Sequence, residues 1–440
     1  MIESLLIKQV DMVLPDGIKT GDILIQNGKI TRIDWTITAS AEVVLQNTGL
    51  TLLPGVIDPH VHFRDPGALH KETLETGSMA AAAGGVTSFF DMPNTNPATI
   101  SIESLEKKKH LASQKSLVNY NFFMGATPEN LEDLVKAQNI PGIKIFMGSS
   151  TGSLLVDKRP DLESIFKHSP HLIAVHAEDE AIITQNKQKH AHSTDVHDHI
   201  KIRTPEAALK ATKLAVELSK LYQKRLHICH LTTQEEAEFL SLEKISGLIS
   251  TEVSPQHLLL SAPEVYQKWG TFAQINPPIR EERHRLALWN ALQSGVIDFI
   301  ATDHAPHTIE EKNQPFGVAH SGMPGVETSL LLMLDLVSKK KITLSQVVKW
   351  LCEGPARIYH IQNKGKLQVG CDGDMVLVDL NAKKTIRNED QHTHVKWSVF
   401  DGISVQGVPL ITIVNGQVVF REGDFFTSVK GKEIAISGTH

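Results

Sequence analysis

The chain is poor in cysteine and lacks the segments that mark secreted and membrane proteins. Only three of its 440 residues are cysteine (Cys229, Cys352 and Cys371), and no two of them form a Cys-x-x-Cys pair. This excludes a disulfide framework, and we expect a reduced, cytoplasmic environment. The first residues show no basic region followed by an apolar stretch, so we expect no secretory signal. No apolar run reaches the about 18 residues that a membrane span needs.

The chain also lacks a surplus of positive charge and the glycine motifs of nucleotide-binding folds. It carries 44 Lys and Arg against 50 Asp and Glu, a formal net charge of −6. Bulk electrostatics therefore argue against a nucleic-acid or membrane partner, and an anionic small molecule would need its own local basic groups. Neither GxGxxG nor GxxxxGK[ST] occurs. Histidine, in contrast, is abundant at 22 residues, and because it is the commonest metal ligand this prompts a search for a metal site.

The middle of the chain alternates short apolar strands with helical segments. We predict strands at residues 56–63, 86–93, 117–124, 143–148, 172–178, 226–232, 247–253 and 296–303. Eight strands that are each followed by a crossover imply parallel pairing, and hence an α/β fold with a (β/α)8 TIM barrel. The alternative is an open doubly wound sheet, which the missing glycine motifs do not support. We assign residues 54–362 to the barrel, and residues 1–53 and 363–440, rich in short strands and turns, to one small β-sandwich domain.

Polar side chains follow the ends of the predicted strands. In the stretch DPHVHFRDPG, alternate residues of an extended strand would share a face, so we expect Asp58, His60, His62 and Arg64 to point to the same side. Further polar residues lie at the ends of other predicted strands or just past them: Asn94, Lys144, His176, His230 and Asp303. Because the C-terminal ends of barrel strands form the active face, we expect these side chains to converge.

Imidazole and carboxylate groups together suit zinc or a similar divalent ion. Taken singly, each residue also has a structural explanation: a His-x-His pair can belong to a core, and an aspartate can cap a helix or turn. Together with Lys144, these histidines and the aspartate make six protein groups. Six groups are too many for one tetrahedral site with an open position, so we predict two ions. One would be held by His60, His62 and Asp303, and the other by His176 and His230.

Lys144 needs a separate explanation, because an ammonium group has no lone pair to offer a metal. If it condensed with CO2, it would become an anionic carbamate able to bridge both ions. The alternatives are that Lys144 only lies near the site, or that a single metal binds.

An ordered series of motifs resembles a known family. PGVIDPHVHFRDPG, DMPNTNP, GIKIFMG, AVHAED, CHLTT and ATDHAPH are similar, in that order, to motifs of the amidohydrolase superfamily and, within it, of the dihydroorotases. The similarity covers nearly the whole chain. It implies a cytoplasmic, zinc-dependent enzyme acting on a small cyclic amide, with Asp303 as general acid and base, and a homodimer.

Two residues favour dihydroorotases over hydantoinases and allantoinases. In dihydroorotases, the arginine and asparagine that match Arg64 and Asn94 hold the substrate carboxylate, and His307 matches a further contact. A guanidinium group suits such a planar anion. The alternative for Arg64 is a structural ion pair with Asp58 or Asp65.

The resemblance implies the reversible cyclisation of N-carbamoyl-L-aspartate to L-dihydroorotate in pyrimidine synthesis. One rival hypothesis is a hydantoinase or allantoinase. Another is an inactive scaffold that only binds a partner such as a carbamoyltransferase, although no expected ligand is missing from the sequence.

One segment departs from the family pattern. Many bacterial dihydroorotases place a metal-binding aspartate after strand four, where this chain reads FMGSSTGSLLV, and Asp157 and Asp161 lie too far along to replace it. Lys144 therefore resembles the carboxylated lysine of other relatives.

Three further expectations concern the surroundings of the site. Residues 305–325 form either a lid or a plain surface loop. The histidine-rich segment 190–200 is a solvated loop without a metal, and Cys229 is a buried thiol that points away from the barrel.

Overall fold

The computed structural model describes residues 2–46, 49–149 and 154–437, so part of the divergent segment FMGSSTGSLLV lies outside the described residues. The strands are β1 (Ser4–Leu14), β2 (Gly17–Gln26), β3 (Lys29–Asp34), β4 (Val43–Gln46), β5 (Thr51–Pro54), β6 (Val56–Val61), β7 (Val86–Asp91), β8 (Asn119–Phe122), β9 (Met124–Gly125), β10 (Ile143–Phe146), β11 (Ile173–His176), β12 (Leu226–Ile228), β13 (Ile249–Val253), β14 (Phe299–Ile300), β15 (Met375–Thr385), β16 (Ser404–Val414), β17 (Gln417–Arg421) and β18 (Asp424–Phe425).

The helices lie mainly between the barrel strands. They are α1 (Leu74–Ala83), α2 (Ile102–Lys115), α3 (Leu131–Lys136), α4 (Arg159–His168), α5 (Glu180–Lys189), α6 (His199–Ile202), α7 (Pro205–Tyr222), α8 (Gln234–Glu243), α9 (Pro255–Leu259), α10 (Glu264–Trp269), α11 (Glu282–Ser294), α12 (Ile309–Lys312), α13 (Ser329–Ser338), α14 (Leu344–Val348) and α15 (Gly354–Ile358). Hydroxyl side chains start several of them: Thr73 caps α1, Ser101 caps α2 and Thr204 caps α7. In the part of the chain that the structure describes, no helix combines the length and apolar character needed to cross a membrane.

Strands β6 to β14 form the parallel part of the fold. β6, β7 and β8 pair in one sheet, and β9 to β14 pair in sequence order in another. The two sheets meet twice: only Phe123 separates β8 from β9, and Val61 at the end of β6 forms a parallel bridge with His304, which follows β14. This is the predicted (β/α)8 barrel, and its strands fall within or close to the predicted ranges.

Strands from both chain ends form a single nine-stranded sheet. Its order is β18-β17-β16-β15-β5-β1-β2-β3, and β4 also pairs with β1. The two ends of the chain join where β15 runs antiparallel to β5. The sheet is curled, so that the segment before β15 contacts the β2–β3 and β16–β17 turns. Gly373 donates a backbone hydrogen bond to Gly28, and Gly416 donates one to Gly373, both at 2.8 Å. One apolar cluster from both ends fills the fold, as expected, while the exact domain boundaries stay predictions.

The first barrel strand does not alternate strictly. Its pairing with β7 shifts after Asp58, which produces a bulge. Ile57 belongs to the apolar cluster inside the barrel, and His60 also faces the interior. Asp58 turns aside, and its carboxylate accepts hydrogen bonds from the backbone and hydroxyl of Thr302 at 3.1 and 2.6 Å. The prediction that Asp58 shares a face with His60 is therefore wrong.

Three of the predicted site residues lie beyond the strands in left-handed backbone. The φ angle is +60° at Arg64, +36° at His230 and +49° at Asp303. Strands β12 and β14 end several residues before the predicted limits, so these residues are not in extended conformation. Left-handed backbone is unfavourable for residues with a Cβ atom and is concentrated at functional sites. The regular strands thus end before these residues, and their side chains are directed toward the C-terminal opening of the barrel by left-handed backbone.

A buried ion pair ties helix α2 to the end of β7. Lys108 Nζ lies 2.6 Å from Asp91 Oδ2, and both side chains are fully inaccessible to solvent. The same ammonium donates to the carbonyl of Met92 at 2.9 Å, and Asp91 Oδ1 accepts from the backbone of Phe63 at 2.7 Å. The pair therefore fixes the chain on both sides of the first two strand ends.

We expect Lys108→Met to destabilise the protein by about 3–5 kcal/mol, because it leaves the Asp91 carboxylate buried without a counter-charge. The matched control is Lys107→Met, since Lys107 pairs with Glu103 on the exposed face of the same helix and should change stability by less than about 1 kcal/mol. Chemical denaturation monitored by circular dichroism measures both. Equal midpoints for the two variants would contradict the role of the buried pair.

Candidate active site

Four histidines and one aspartate meet at the C-terminal ends of the barrel strands. The ring centres of His60 lie 5.3 Å from those of His62 and of His230, and the rings of His176 and His230 are 4.8 Å apart. Asp303 Oδ1 lies 3.0 Å from Nε2 of His62 and 3.3 Å from Nε2 of His60. The convergence expected from the strand ends is therefore present.

Three of these histidines are oriented by an oxygen that accepts a hydrogen bond from the outer ring nitrogen. The pairs are His60 Nδ1 with Glu252, His62 Nδ1 with Asn94 Oδ1 at 2.6 Å, and His176 Nε2 with Glu178 Oε2 at 2.7 Å. In a neutral imidazole, an acceptor on one ring nitrogen fixes the hydrogen there and leaves the lone pair on the other. Metal-binding histidines are typically held in this way.

The inner ring nitrogens consequently point into the cluster. Nε2 of His60 and of His62 face the carboxylate of Asp303, and Nδ1 of His176 faces Nε2 of His230 at 3.1 Å. Ligand atoms around a tetrahedral zinc ion are separated by roughly 3.3–3.6 Å, given bond lengths of about 2.0–2.2 Å. Among the described residues, ligand atoms of His60, His230 and Asp303 lie within 4.8 Å of one another and could hold a divalent ion, and His62 and His176 adjoin this group. The expected division, with His60, His62 and Asp303 for one ion and His176 and His230 for the other, stays a prediction.

The carboxylates control the charge of this cluster. Burial lowers the pKa of His60, but Glu252 and Asp303 outweigh it and raise that pKa to about 10. Burial lowers the pKa of His62 to about 4 and that of His230 well below its ordinary value. Burial would raise the pKa of Asp303, but the nearby imidazoles hold it well below its usual range. Asp303 is therefore ionised at neutral pH, as a metal ligand or proton acceptor must be.

Lys144 is buried beside the histidines, with 1% of its surface exposed. Its ammonium donates to Sγ of Cys229 at 2.9 Å and lies 5.3 Å from the ring centre of Phe146. Across residues 2–46, 49–149 and 154–437, no carboxylate oxygen lies within 4 Å of Nζ. A buried ammonium without a counter-charge is unfavourable. Conversion to a carbamate would remove the positive charge and supply oxygen ligands to this side of the site.

Cys229 faces the site, so the prediction that it points away from the barrel is wrong. Its sulfur contacts Lys144 and lies within 4.8 Å of ligand atoms of His60 and Glu252. The reason is that β12 ends at Ile228, and strand alternation no longer applies to the next residue.

Arg64 lies buried at the edge of the histidine cluster. Its Nε donates to the carbonyl of Pro306 at 3.2 Å, and Nη2 lies 3.3 Å from Nε2 of His307. Burial lowers the pKa of Arg64 to about 10, so the guanidinium remains charged at neutral pH.

The alternative of a structural ion pair for Arg64 is wrong. Asp58 is bound by Thr302, and Asp65 pairs with Lys115 at 2.8 Å. No carboxylate among the described residues lies within 4 Å of the Arg64 guanidinium. Its buried positive charge is therefore available to an anion that enters the site.

His307 lies behind Arg64 and does not line the cavity above the histidines. It is fully buried, and Lys71 donates to its Nδ1 at 3.1 Å while Trp397 donates to its carbonyl at 2.8 Å. In this arrangement His307 supports Arg64, and a direct contact with substrate stays a prediction.

Five residues that line the cavity were missed as site residues in the sequence: Phe146, Asn276, Ala305, Ser321 and Gly322. Asn276 Oδ1 is buried without a hydrogen-bond partner among the described residues. A Cβ atom on Gly322 would lie 2.4 Å from the carbonyl of Ala305, so only glycine fits there. The sequence signal was limited to turn-forming Asn-Pro and Gly residues, which do not indicate where a loop lies in space.

The structure describes both segments that were predicted to be loops, 305–325 and 190–200. Segment 305–325 contains helix α12 and is anchored by buried Lys312, which donates to the carbonyls of Gln274 and His320 at 2.9 and 2.8 Å. In the histidine-rich segment, His199 is buried and bonded to the carbonyl of Ile275 at 2.7 Å, so a fully solvated loop is wrong for that residue.

Residues 51–419 match the amidohydrolase family. The chain belongs to this family. It is 36% identical to a dihydroorotase from Methanosarcina acetivorans, over 94% of this chain and 92% of that protein. It is 34% identical to a dihydroorotase from Pyrococcus furiosus, over 96% of this chain and 94% of that protein.

Solved structures of a hydantoinase and a dihydropyrimidinase are similar to this chain over nearly its whole length. L-hydantoinase (dihydropyrimidinase) from Arthrobacter aurescens has a TM-score of 0.93 at 29% identity, covering 99% of this chain and 100% of that chain. Dihydropyrimidinase from Brevibacillus agri NCHU1002 has a TM-score of 0.91 at 27% identity, covering 99% of both chains. The amidohydrolase barrel is therefore shared with hydantoinases, while the curated relatives at higher identity are named dihydroorotases.

We expect native mass spectrometry of the metal-loaded protein to show one CO2 adduct that Lys144→Met abolishes, because the carbamate requires this lysine. Metal analysis should show a lower metal content in the same variant. Lys312→Met is the matched control, since it removes another buried lysine outside the cluster. Retention of the adduct in Lys144→Met, or its absence in the parent protein, would contradict the carbamate.

Proposed function

We propose that the chain is a dihydroorotase, which interconverts N-carbamoyl-L-aspartate and L-dihydroorotate. The dihydroorotase names of its relatives support this activity. The observation that carries the proposal is the buried Arg64 guanidinium, which lies beside the histidine cluster without a carboxylate partner. Dihydroorotate carries one carboxylate outside its ring, and a guanidinium binds such a group through two parallel hydrogen bonds.

Binding of that carboxylate would place the ring amide over the histidines. Asn94 lines the same cavity as Arg64, and its Oδ1 is bonded to His62. An interaction between Asn94 and substrate would therefore link substrate binding to the orientation of a metal ligand. Asn276 Oδ1 lines the cavity as well, and we propose that it accepts a hydrogen bond from a ring N–H. Holding the substrate in this way replaces an encounter in solution by a fixed geometry.

We further propose two zinc ions, held by His60, His62, His176, His230 and Asp303 and bridged by a carboxylated Lys144. When bound, the ions would polarise the amide carbonyl and lower the pKa of water. This proposal is supported by the convergence of the ring nitrogens on one another and on the Asp303 carboxylate, and by the buried lysine that has no carboxylate within 4 Å among the described residues.

Asp303 is placed to carry the proton. Its carboxylate is ionised, lines the cavity and lies 3.3 Å from Nε2 of His60 and 3.0 Å from Nε2 of His62. In ring opening it would accept a proton from the attacking water and deliver it to the leaving ring nitrogen. In ring closure it would remove a proton from the ureido nitrogen.

A hydantoinase is the second candidate, favoured by the TM-scores to hydantoinase structures. Hydantoin has no carboxylate, so a buried guanidinium beside its site would stay without a partner. Parallel assays with dihydroorotate, hydantoin and allantoin separate the candidates, and turnover of hydantoin without turnover of dihydroorotate would overturn our proposal.

We also propose that the enzyme acts in the cytoplasm as a homodimer. The free thiols of Cys229, Cys352 and Cys371 support a reducing environment. The dimer rests on the family resemblance and is tested by light scattering of the purified protein.

We expect Arg64→Met to lower kcat/KM for dihydroorotate by roughly 30- to 700-fold, mainly through KM, because loss of a buried charged contact costs about 2–4 kcal/mol. Steady-state kinetics measure the effect. The uncharged amide of dihydroorotate is the matched control substrate, and its turnover should change little. An unchanged KM for dihydroorotate would contradict the carboxylate contact.

We expect Asp303→Ala and Asp303→Asn to abolish measurable turnover, since a general acid and base contributes about 100- to 10,000-fold. Metal content should stay largely intact, because the histidines and the carbamate remain. Kinetics and metal analysis on the same samples provide both measurements. Near-normal activity of the asparagine variant, which preserves shape but accepts no proton, would exclude this role.

A further inference from the structure

Glu252 is a buried carboxylate that neither the sequence motifs nor the proposed mechanism explains. It lies on β13 with 1% of its surface exposed. Three donors surround it: Nδ1 of His60, Nε2 of His227 at 3.0 Å and the backbone N–H of His230 at 3.2 Å. We propose that Glu252 is a positioning residue that holds one ligand of each metal ion, an inference that rests on the metal centre of the proposed function.

Its effect on His60 follows from the chemistry of imidazole. A carboxylate only accepts hydrogen bonds, so Nδ1 of His60 must carry the hydrogen. In the neutral ring that binds a metal, the lone pair is then on Nε2, which lies 3.3 Å from Asp303 Oδ1. Loss of the Glu252 carboxylate would remove the acceptor that selects this tautomer.

Its effect on His230 is on the backbone. His230 has a φ of +36°, and this left-handed conformation turns its ring toward His176. The hydrogen bond from its N–H to Glu252 offsets part of the backbone strain, because a charged acceptor forms a stronger bond than a neutral one. One carboxylate on β13 thus supports residues from β6 and from the end of β12.

Glu252 is better placed to position ligands than to be one. Its oxygens are occupied by three donors, and it approaches His60 from the ring nitrogen opposite Asp303. It does not line the cavity above the histidines. His227 partners the second oxygen and is itself held by Ser250 Oγ at 2.9 Å and by the stacked ring of Phe299.

The test uses Glu252→Gln in the full-length protein, stripped of metal and titrated with zinc against a chromophoric chelator. We expect zinc affinity to fall about 10- to 100-fold, as for other residues that orient metal-binding histidines. At saturating zinc, the KM for dihydroorotate should stay within a few-fold of the parent. The visible spectrum of the cobalt-loaded variant should change, which a purely structural role would not cause.

The matched control is Glu236→Gln. Glu236 is also a buried carboxylate, but it accepts hydrogen bonds from Thr212 and Thr233 and touches none of the predicted ligands. Its zinc affinity and cobalt spectrum should equal those of the parent. If both variants lose affinity equally, general destabilisation explains the effect and the proposal is overturned.

Parent-like zinc affinity in Glu252→Gln also overturns the proposal. If that variant does not fold, Glu252→Asp is titrated instead, because the shorter acid keeps the charge but cannot reach both histidines; the same criterion decides. A parent protein that binds zinc but does not turn over dihydroorotate contradicts the proposed function alone, since the comparison of affinities still tests Glu252.

Discussion

At the mouth of the barrel, ring nitrogens and a carboxylate that can each bind a cation point at one another. Nε2 of His60 and of His62 lies beside the carboxylate of Asp303, and Nδ1 of His176 lies beside Nε2 of His230. Such contacts are favourable only when a proton or a metal ion lies between the two atoms. Much of the surrounding structure maintains this arrangement, from the oxygens on the outer ring nitrogens to the left-handed backbone that turns the side chains inward.

A buried positive charge lies next to this cluster. Arg64 has no carboxylate within 4 Å among the described residues, while the cluster contributes ring nitrogens and the ionised carboxylate of Asp303. The two halves are connected by Asn94, which lines the cavity with Arg64 and accepts a hydrogen bond from His62. A substrate with a carboxylate at one end and a polar carbonyl at the other matches both halves at once. Hydantoinases share the barrel, and it is the arginine that separates the two proposals.

The sequence predicted well those parts of the structure that follow from strand ends. The barrel, the convergence of the four histidines and the position of Asp303 all came from that pattern. It failed where local geometry departs from a regular strand: a bulge removes Asp58 from the shared face, and the early end of β12 turns Cys229 inward. Arg64 was identified by assuming that the alternation of strand side chains continues as far as residue 64. In the structure β6 ends at Val61, and the backbone of Arg64 is left-handed. Asn276 and Glu252 depend on contacts between distant segments, which no local pattern shows.

The joint sheet of the two chain ends has a consequence for biosynthesis. β5 pairs with β1 and with β15, and β15 is translated only after the whole barrel. Until then one edge of β5 exposes unpaired backbone groups, a surface prone to pairing with other chains. The nascent protein thus carries this unpaired strand edge through most of translation. A message cut short after the barrel would yield a chain that has all of the predicted metal ligands but whose β5 edge is free to pair with other chains.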